Sequence, residues 1–165
     1  LEAPDLPFGL GSGAGTIYGT TGGVAEAVVR HCMPDKSRNT LRALEYSPLR
    51  GNESIRETTV QIGDREIKLA VVHGLIHAQK LLKEIDQGNA YYDLVEVMTC
   101  PNGCVGGAGQ PYGLKAKKES RAAGLYATDR SAPFKRAEYN PGVTAILGAL
   151  SQEERHELLH VSYQP

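Results

Sequence analysis

Two runs of alternating apolar and polar residues face each other across Gly63-Asp64. Val60 and Ile62 alternate with polar neighbours before that dipeptide, and Ile67, Leu69 and Val71 do so after it. A period of two marks a half-buried strand, and a two-residue loop containing glycine supplies the positive φ of a tight hairpin. The pattern predicts a hairpin of strands 56–62 and 65–72. Past His73-Gly74 the period becomes helical as far as about Asp86. Leu75, Ala78, Leu82 and Ile85 form its expected apolar stripe, and Lys80, Lys83 and Glu84 its wet face. Leu94–Met98 is a second short apolar run, predicted as a strand that feeds directly into a loop over 99–113.

Upstream, Gly22-Gly23 opens a predicted helix through Cys32, with Val24, Ala27 and Val28 at helical spacing and Pro34 ending it. Residues 1–15 are expected to be irregular, Thr16–Gly19 a short extended segment, and Leu44–Ser47 a strand before Pro48. Downstream, residues 114–123 are basic and predicted helical, followed by a proline-containing linker. Asn140 with Pro141 at the first helical position is a favoured start. Val143, Ile146, Leu147 and Leu150 share a face of that helix, and Ser151-x-x-Glu154 is a capping box for a last one. Strands that feed helices through glycine turns predict an α/β fold, and the hairpin adds antiparallel pairing. The expectation is a mixed, mainly parallel small sheet flanked by helices, with one antiparallel hairpin, as a single domain over 1–165. Sites in open α/β sheets form beyond the carboxyl ends of strands, which is where the 99–113 loop begins.

The chain has 165 residues, 41% hydrophobic and 22% charged, with a formal net charge of −1. That balance lacks the basic excess of a nucleic-acid or anionic-membrane binder, so neither partner is expected. No apolar run approaches the ~20 residues of a membrane span. No basic start followed by an apolar stretch marks a signal peptide. Leu1 and the Pro/Gly-rich opening predict a piece of a longer protein, so a cytoplasmic location is expected and export to a periplasm stays open. The three cysteines, Cys32, Cys100 and Cys104, are an odd set that makes no disulfide framework and suits a reducing compartment. Cys32, on the apolar face of helix 22–32, is expected to be a buried structural thiol.

The chemistry concentrates in Glu96-Val97-Met98-Thr99-Cys100-Pro101-Asn102-Gly103-Cys104-Val105-Gly106-Gly107-Ala108-Gly109-Gln110-Pro111. Two thiols four positions apart reach one metal centre if the loop between them curls, and Gly103 permits the curl. Glycines after Cys104 let backbone approach a bulky inorganic group and aim amides at its negatively charged sulfurs. A zinc knuckle would need a second Cys or His pair, and the five histidines are scattered. By pattern alone, two buried unreactive thiols remain the bland alternative. His73 and His77 have the i, i+4 spacing that can hold a metal on a helix, but His73 sits at a strand-to-helix turn. Lys115, Lys117 and Lys118 form either a solvated basic face or a dock for an acidic redox protein.

The cysteine string closely resembles the third signature of the iron-only ([FeFe]) hydrogenases, E-x-M-x-C-x-x-G-C-x-x-G-G-G-Q-P. The match covers Glu96, Met98, Cys100, Gly103, Cys104, Gly107, Gly109, Gln110 and Pro111. A second block, Gly13-Ala14-Gly15-Thr16-Ile17-Tyr18-Gly19-Thr20-Thr21-Gly22-Gly23-Val24-Ala25-Glu26-Ala27, resembles that family's G-A-G-x-I-F-G-A-T-G-G-V-M-E-A. The closing His156-Glu157-Leu158-Leu159-His160 is also similar. Tyr18, Ala25 and Ala108 depart from the usual Phe, Met and Gly.

The resemblance implies one lobe of a two-lobed catalytic domain whose complete form reversibly reduces protons to dihydrogen. It implies an H-cluster, in which a [4Fe-4S] cluster is joined through a cysteine to a diiron centre. Cys100 would be a terminal cubane ligand and Cys104 the bridging thiolate. Gly103, Gly106 and Gly107 would line the cofactor; Met98, Tyr18 and Gly19 would wall the diiron pocket. The signatures T-S-C-C-P and M-P-C-x-x-K, which supply the remaining ligands, do not occur in this chain. The expected partners are therefore an N-terminal lobe of the same protein and a ferredoxin or similar redox protein, and the isolated piece is expected to be apo and inactive. The alternatives are a cytosolic iron–sulfur assembly factor or prelamin-recognition-like relative, a sensory hydrogenase-like domain, or a small zinc-binding or interaction module.

Overall fold

The segment that organises the molecule is the second half of the hairpin. The computed structural model describes residues 9, 11–34, 43, 44, 47–51 and 53–162. Strand β1 (Ile55–Ile62) pairs antiparallel with β2 (Arg65–His73), in register from Ile62 opposite Arg65 to Ile55 opposite Val72. Gly63 turns the hairpin at φ 59°. Strand β3 (Leu94–Met98) lies parallel on the other side of β2, with Leu69 opposite Leu94 and His73 opposite Met98. A parallel neighbour needs a crossover, and helix α3 (Leu75–Asp86) supplies it.

As the central strand, β2 is covered on both faces. Leu69 and Val71 pack with Ala25 and Val29 of helix α2 (Gly23–Cys32) and with Leu49, while Ala70 and Val72 pack with Ala78 and Leu81 of α3. Each large aliphatic side chain buried there contributes about 1.5–3 kcal/mol. The stripe of α3 is thus Ala78 and Leu81 with Ile85 half-buried, not the expected set: Leu75 is 62% and Leu82 56% exposed. Apolar residues cover a wide arc of this helix, so spacing alone cannot choose the buried edge. Packing of Ala78 and Leu81 against Ala70 and Val72 chooses it.

The N-terminal segment also differs from expectation. Gly13–Ile17 is a helix, α1, capped by Ser12, whose Oγ accepts the Gly15 amide at 3.1 Å. Its first amides, Gly13 and Ala14, donate to the carbonyls of Phe134 and Lys135. Those acceptors lie far along the chain, which is why local sequence predicted irregular and extended backbone. Residues 43 and 44 are helical rather than the start of a strand, and 45 and 46 of that predicted segment lie outside the described residues. Cys32 is exposed, not buried: the helix turns its Ala25 and Val29 edge to the sheet and leaves position 32 at the rim.

The basic segment forms a longer helix than predicted, α4 (Lys115–Ser131). Lys115 and Lys117 are exposed, and Lys115 approaches Glu119 at 3.8 Å on the wet face. Helix α5 (Pro141–Ala149) starts at the Asn140 cap, and α6 (Gln152–Leu159) at the reciprocal Ser151–Glu154 capping box. Among the described residues no helix is long and apolar enough to cross a membrane.

A buried charge cluster ties α2 to α4. Arg30 makes a bidentate pair with Asp129, both bonds 2.8 Å, and donates to Glu26 at 2.5 Å. Arg50 grips Glu26 with two bonds of 2.7 Å, reaches Asp129 at 3.1 Å and lies 4.3 Å over the Tyr126 ring. Burial would favour a neutral Asp129, but the hydrogen bond and charge of Arg30, with Arg50 and Lys135, hold its carboxyl below the ordinary range.

Candidate functional site

The carboxyl ends of β2 and β3 deliver His73 and Met98 side by side, and the chain passes from Met98 into the cysteine loop. From Cys100 the loop coils through successive tight turns. The Gly103 amide donates to the Cys100 carbonyl, Gly106 to Gly103, Gly107 to Cys104, and Gln110 to Gly107. This corrects one expectation: the amides of Gly106 and Gly107 are spent on the loop's own carbonyls, not left to face a cluster. The glycines matter instead for close approach. A Cβ on Gly106 would lie 2.3 Å from the Pro101 carbonyl oxygen, and one on Gly107 would lie 3.1 Å from the Cys100 sulfur.

Local turns shape a loop without placing it, and placement here comes from outside. The Asn102 amide donates to His73 Nδ1 at 3.0 Å, and the Asn102 carbonyl accepts from the Thr21 amide at 3.3 Å. Asn102 adopts a left-handed backbone at φ 71°, a region asparagine tolerates. The Val105 amide donates to the Gly19 carbonyl at 3.1 Å, and the Val105 carbonyl accepts from Arg121 at 3.0 Å. Gly103, at φ 81°, lies against the backbone of Thr20 and Thr21, where a Cβ would come within 2.8 Å of the Thr21 nitrogen.

The partner of the loop is therefore the turn between α1 and α2. That turn is fixed in its own right. Glu96, the one buried charge of β3, accepts the Gly22 amide at 2.6 Å and the Ala25 amide at 2.7 Å, placing a carboxylate at the N-terminus of α2. Arg56 donates to the carbonyls of Thr21, Pro48, Leu49, Gly51 and Glu53. His73 is 4% exposed. Burial, then the positive charge of Arg56 and the neighbouring His77, push its pKa down, so the ring is neutral and able to accept through Nδ1.

The fold gathers Cys100, Gly103, Cys104, Gly106, Gly107, Gly19 and the end of β3 at Met98 into one region. Cys104 is exposed, Cys100 and Met98 are half-buried, and Tyr18 is 47% exposed at the end of α1. Both thiols of the pair are free and reach the surface. Among the described residues no group of three or more His, Cys, Asp or Glu side chains could hold a metal ion. The donors fit half of a four-thiolate set on an open face, the half a cubane would need completed from elsewhere. Sequence reasoning did not assign His73, Arg56 or Arg121 to this region. The visible signals were a histidine ending an apolar strand and an arginine opening one; Arg121 carried none, because its acceptors are main-chain carbonyls.

Comparison with known proteins identifies the family. Residues 1–108 match the family described as iron only hydrogenase large subunit, C-terminal domain, and residues 115–165 match iron hydrogenase small subunit. The NADP-reducing hydrogenase subunit HndD of Solidesulfovibrio fructosivorans is 37% identical over 165 residues, covering 96% of this chain and 28% of that protein. Iron hydrogenase 1 of Clostridium pasteurianum is 32% identical, covering 97% and 30%. The cytosolic iron-sulfur assembly component 3 of Mus musculus is 31% identical over 152 residues, covering 88% and 31%. A solved variant of the [FeFe]-hydrogenase HydA1 from Chlamydomonas reinhardtii superposes with a TM-score of 0.68 at 33% identity, over 98% of this chain and 50% of the other. The chain thus spans roughly a third of these curated relatives and half of the solved chain.

Proposed function

The chain belongs to the iron-only hydrogenase family, and on that premise we propose that it is the cluster-gripping lobe, one domain over 1–165, of an enzyme that interconverts two protons plus two electrons with dihydrogen. The observation that carries the proposal is the coiled loop that holds Cys100 and Cys104 one turn apart, both free and with access to solvent, pinned at Asn102 and Val105. Cys100 and Cys104 would hold the iron–sulfur group of that enzyme's metal centre, Cys100 as a terminal thiolate ligand and Cys104 as the thiolate shared with the diiron part. When bound, that metal group would relay electrons from a redox partner and offer the site at which protons combine. Gly103, Gly106 and Gly107 keep side chains out of the loop's close approaches. Met98 borders the pocket from the end of β3, and Tyr18 and Gly19 border it from the α1 turn.

The residues of this chain position, bury and exclude water; they complete neither the ligand set nor the redox chemistry. The missing ligands come from an N-terminal lobe, and isolated residues 1–165 are inactive. Electrons arrive from a ferredoxin-like protein, for which the exposed lysines of α4 are a suitable acidic-partner face. The free, accessible thiols suit a reducing cytoplasm.

A second reading has its own support in the assembly-factor relatives: a [4Fe-4S] protein on the same fold with no diiron centre. One experiment separates the two. The chain is co-expressed with its N-terminal lobe and the hydrogenase maturation enzymes, then purified without oxygen. A hydrogenase shows CO and CN infrared bands and evolves dihydrogen, and Cys104→Ser abolishes both. Folded, iron-loaded protein without those bands rejects the hydrogenase reading in favour of the assembly-factor one.

A further inference from the structure

Hydrogen bonds from outside hold the cysteine loop. Three of them, to His73, Thr21 and Gly19, come from the part of the chain that matches the large-subunit family. Two more come from Arg121 of α4, in the part that matches the small-subunit family. The geometry points to Arg121 as a positioning residue for the ligand pair, and hence to the C-terminal segment as a structural contributor to the metal centre. This rests on the reading of Cys100 and Cys104 as paired ligands.

One guanidinium spans the glycine run. Nη1 of Arg121 donates to the Val105 carbonyl at 3.0 Å, and Nη2 donates to the Pro111 carbonyl at 2.6 Å. Between those acceptors lie Gly106, Gly107 and Gly109, which have no side chains to hold the backbone. Gly109, at φ 90°, reverses the chain so that Pro111 returns to the same side chain. Val105 is buried and directly follows Cys104, so the bond fixes the Val105–Gly106 peptide, one residue past the ligand. The turns within the loop set its curl, while Arg121 sets where the Cys104 arm sits relative to Cys100. A planar fork with two aligned donors can bridge two carbonyls; a lysine at this position offers a single flexible ammonium.

The test uses the full chain in a Cys32→Ser background, titrated anaerobically with Co²⁺ while thiolate-to-cobalt charge-transfer absorption is followed. Arg121→Ala and Arg121→Lys both lower Co²⁺ affinity roughly 10–100-fold, the effect of losing a group that orients a metal ligand. Hydrogen exchange speeds up in residues 102–111 and stays unchanged in β1–β3. Arg121→Gln, which keeps one donor group, falls between the parent and Arg121→Ala and serves if the alanine variant does not fold. Unchanged Co²⁺ affinity in these variants overturns the clamp alone. Weakened affinity with equal loss of protection throughout the sheet also overturns it, assigning Arg121 to general stability. Absence of the charge-transfer band in the parent chain overturns the paired-ligand reading and, with it, the clamp.

Discussion

His73 Nδ1 accepts the amide of Asn102 at 3.0 Å, so the last residue of the central strand holds the peptide midway between the two cysteines. The bond requires the ring to be unprotonated at Nδ1, and burial with Arg56 and His77 nearby keeps it neutral. Unfolded histidine titrates near about pH 6.5. Below that pH the unfolded chain takes up a proton before the folded one does. Stability from this site is fully present above about pH 7 and declines as pH falls toward the depressed folded value. Urea unfolding midpoints measured from about pH 8 to pH 5 will fall with acidity, and His73→Gln will flatten part of that slope. His73→Ala will cost about 1–3 kcal/mol by removing the imidazole that accepts the Asn102 amide.

Glu96 connects β3 to the start of α2 through two short bonds to main-chain amides. Glu96→Gln keeps shape but removes the charge and one acceptor. The expected loss is about 1.5–3 kcal/mol, the range for hydrogen bonds to charged groups. Denaturant titration measures it, and faster exchange of the Gly22 and Ala25 amides would locate it. An unchanged midpoint would refute the capping role.

Arg30 is the shared cation of Glu26 and Asp129 inside the α2–α4 junction. Arg30→Met leaves two buried carboxylates to Arg50, with only Lys135 adding charge near Asp129, and will destabilise by about 3–5 kcal/mol. The Asp129 carboxyl will then titrate higher. Its stabilising contribution, present above the unfolded value near about pH 3.9, disappears as pH falls through the folded value. The acid-unfolding midpoint followed by circular dichroism will therefore move to higher pH in Arg30→Met.

Two glycines of the loop differ in surroundings and should differ in cost. Gly103 has φ 81° and no room for a Cβ beside Thr20 and Thr21, whereas Gly109 has φ 90° and open space. Gly109→Ala will cost only the left-handed backbone penalty, about 1–2 kcal/mol. Gly103→Ala adds a backbone collision, so it will cost more and displace the loop from the α1–α2 turn. Parallel unfolding curves and Co²⁺ titrations of the two variants check the ranking. Equal effects on both measurements would show that the close approach at Gly103 is unimportant.

The α/β class, the hairpin with its Gly63-Asp64 turn, the bounds of α3 and β3, the Asn140 and Ser151 caps and the cysteine loop past β3 were all legible in the sequence. Each depends on neighbours within a few positions: alternation, a capping side chain, or the spacing of two thiols. The helix at Gly13–Ile17 was not legible, because its opening amides are satisfied by Phe134 and Lys135. The exposed position of Cys32 and the buried edge of α3 were missed for a related reason. An amphipathic pattern with a wide apolar arc fits several rotations, and only packing selects one.

By itself, the sequence determined which chemistry this chain can offer: two cysteines in a glycine-rich loop past a strand end, in a pattern that resembles one family. Tertiary structure decided how that loop is held. Its anchors are a strand-end imidazole, a turn fixed by Glu96 and Arg56, and a guanidinium from a later helix. Most of those contacts end on main-chain amides and carbonyls. Every residue carries these groups, so no residue identity announces such a bond until the fold brings donor and acceptor within hydrogen-bonding distance.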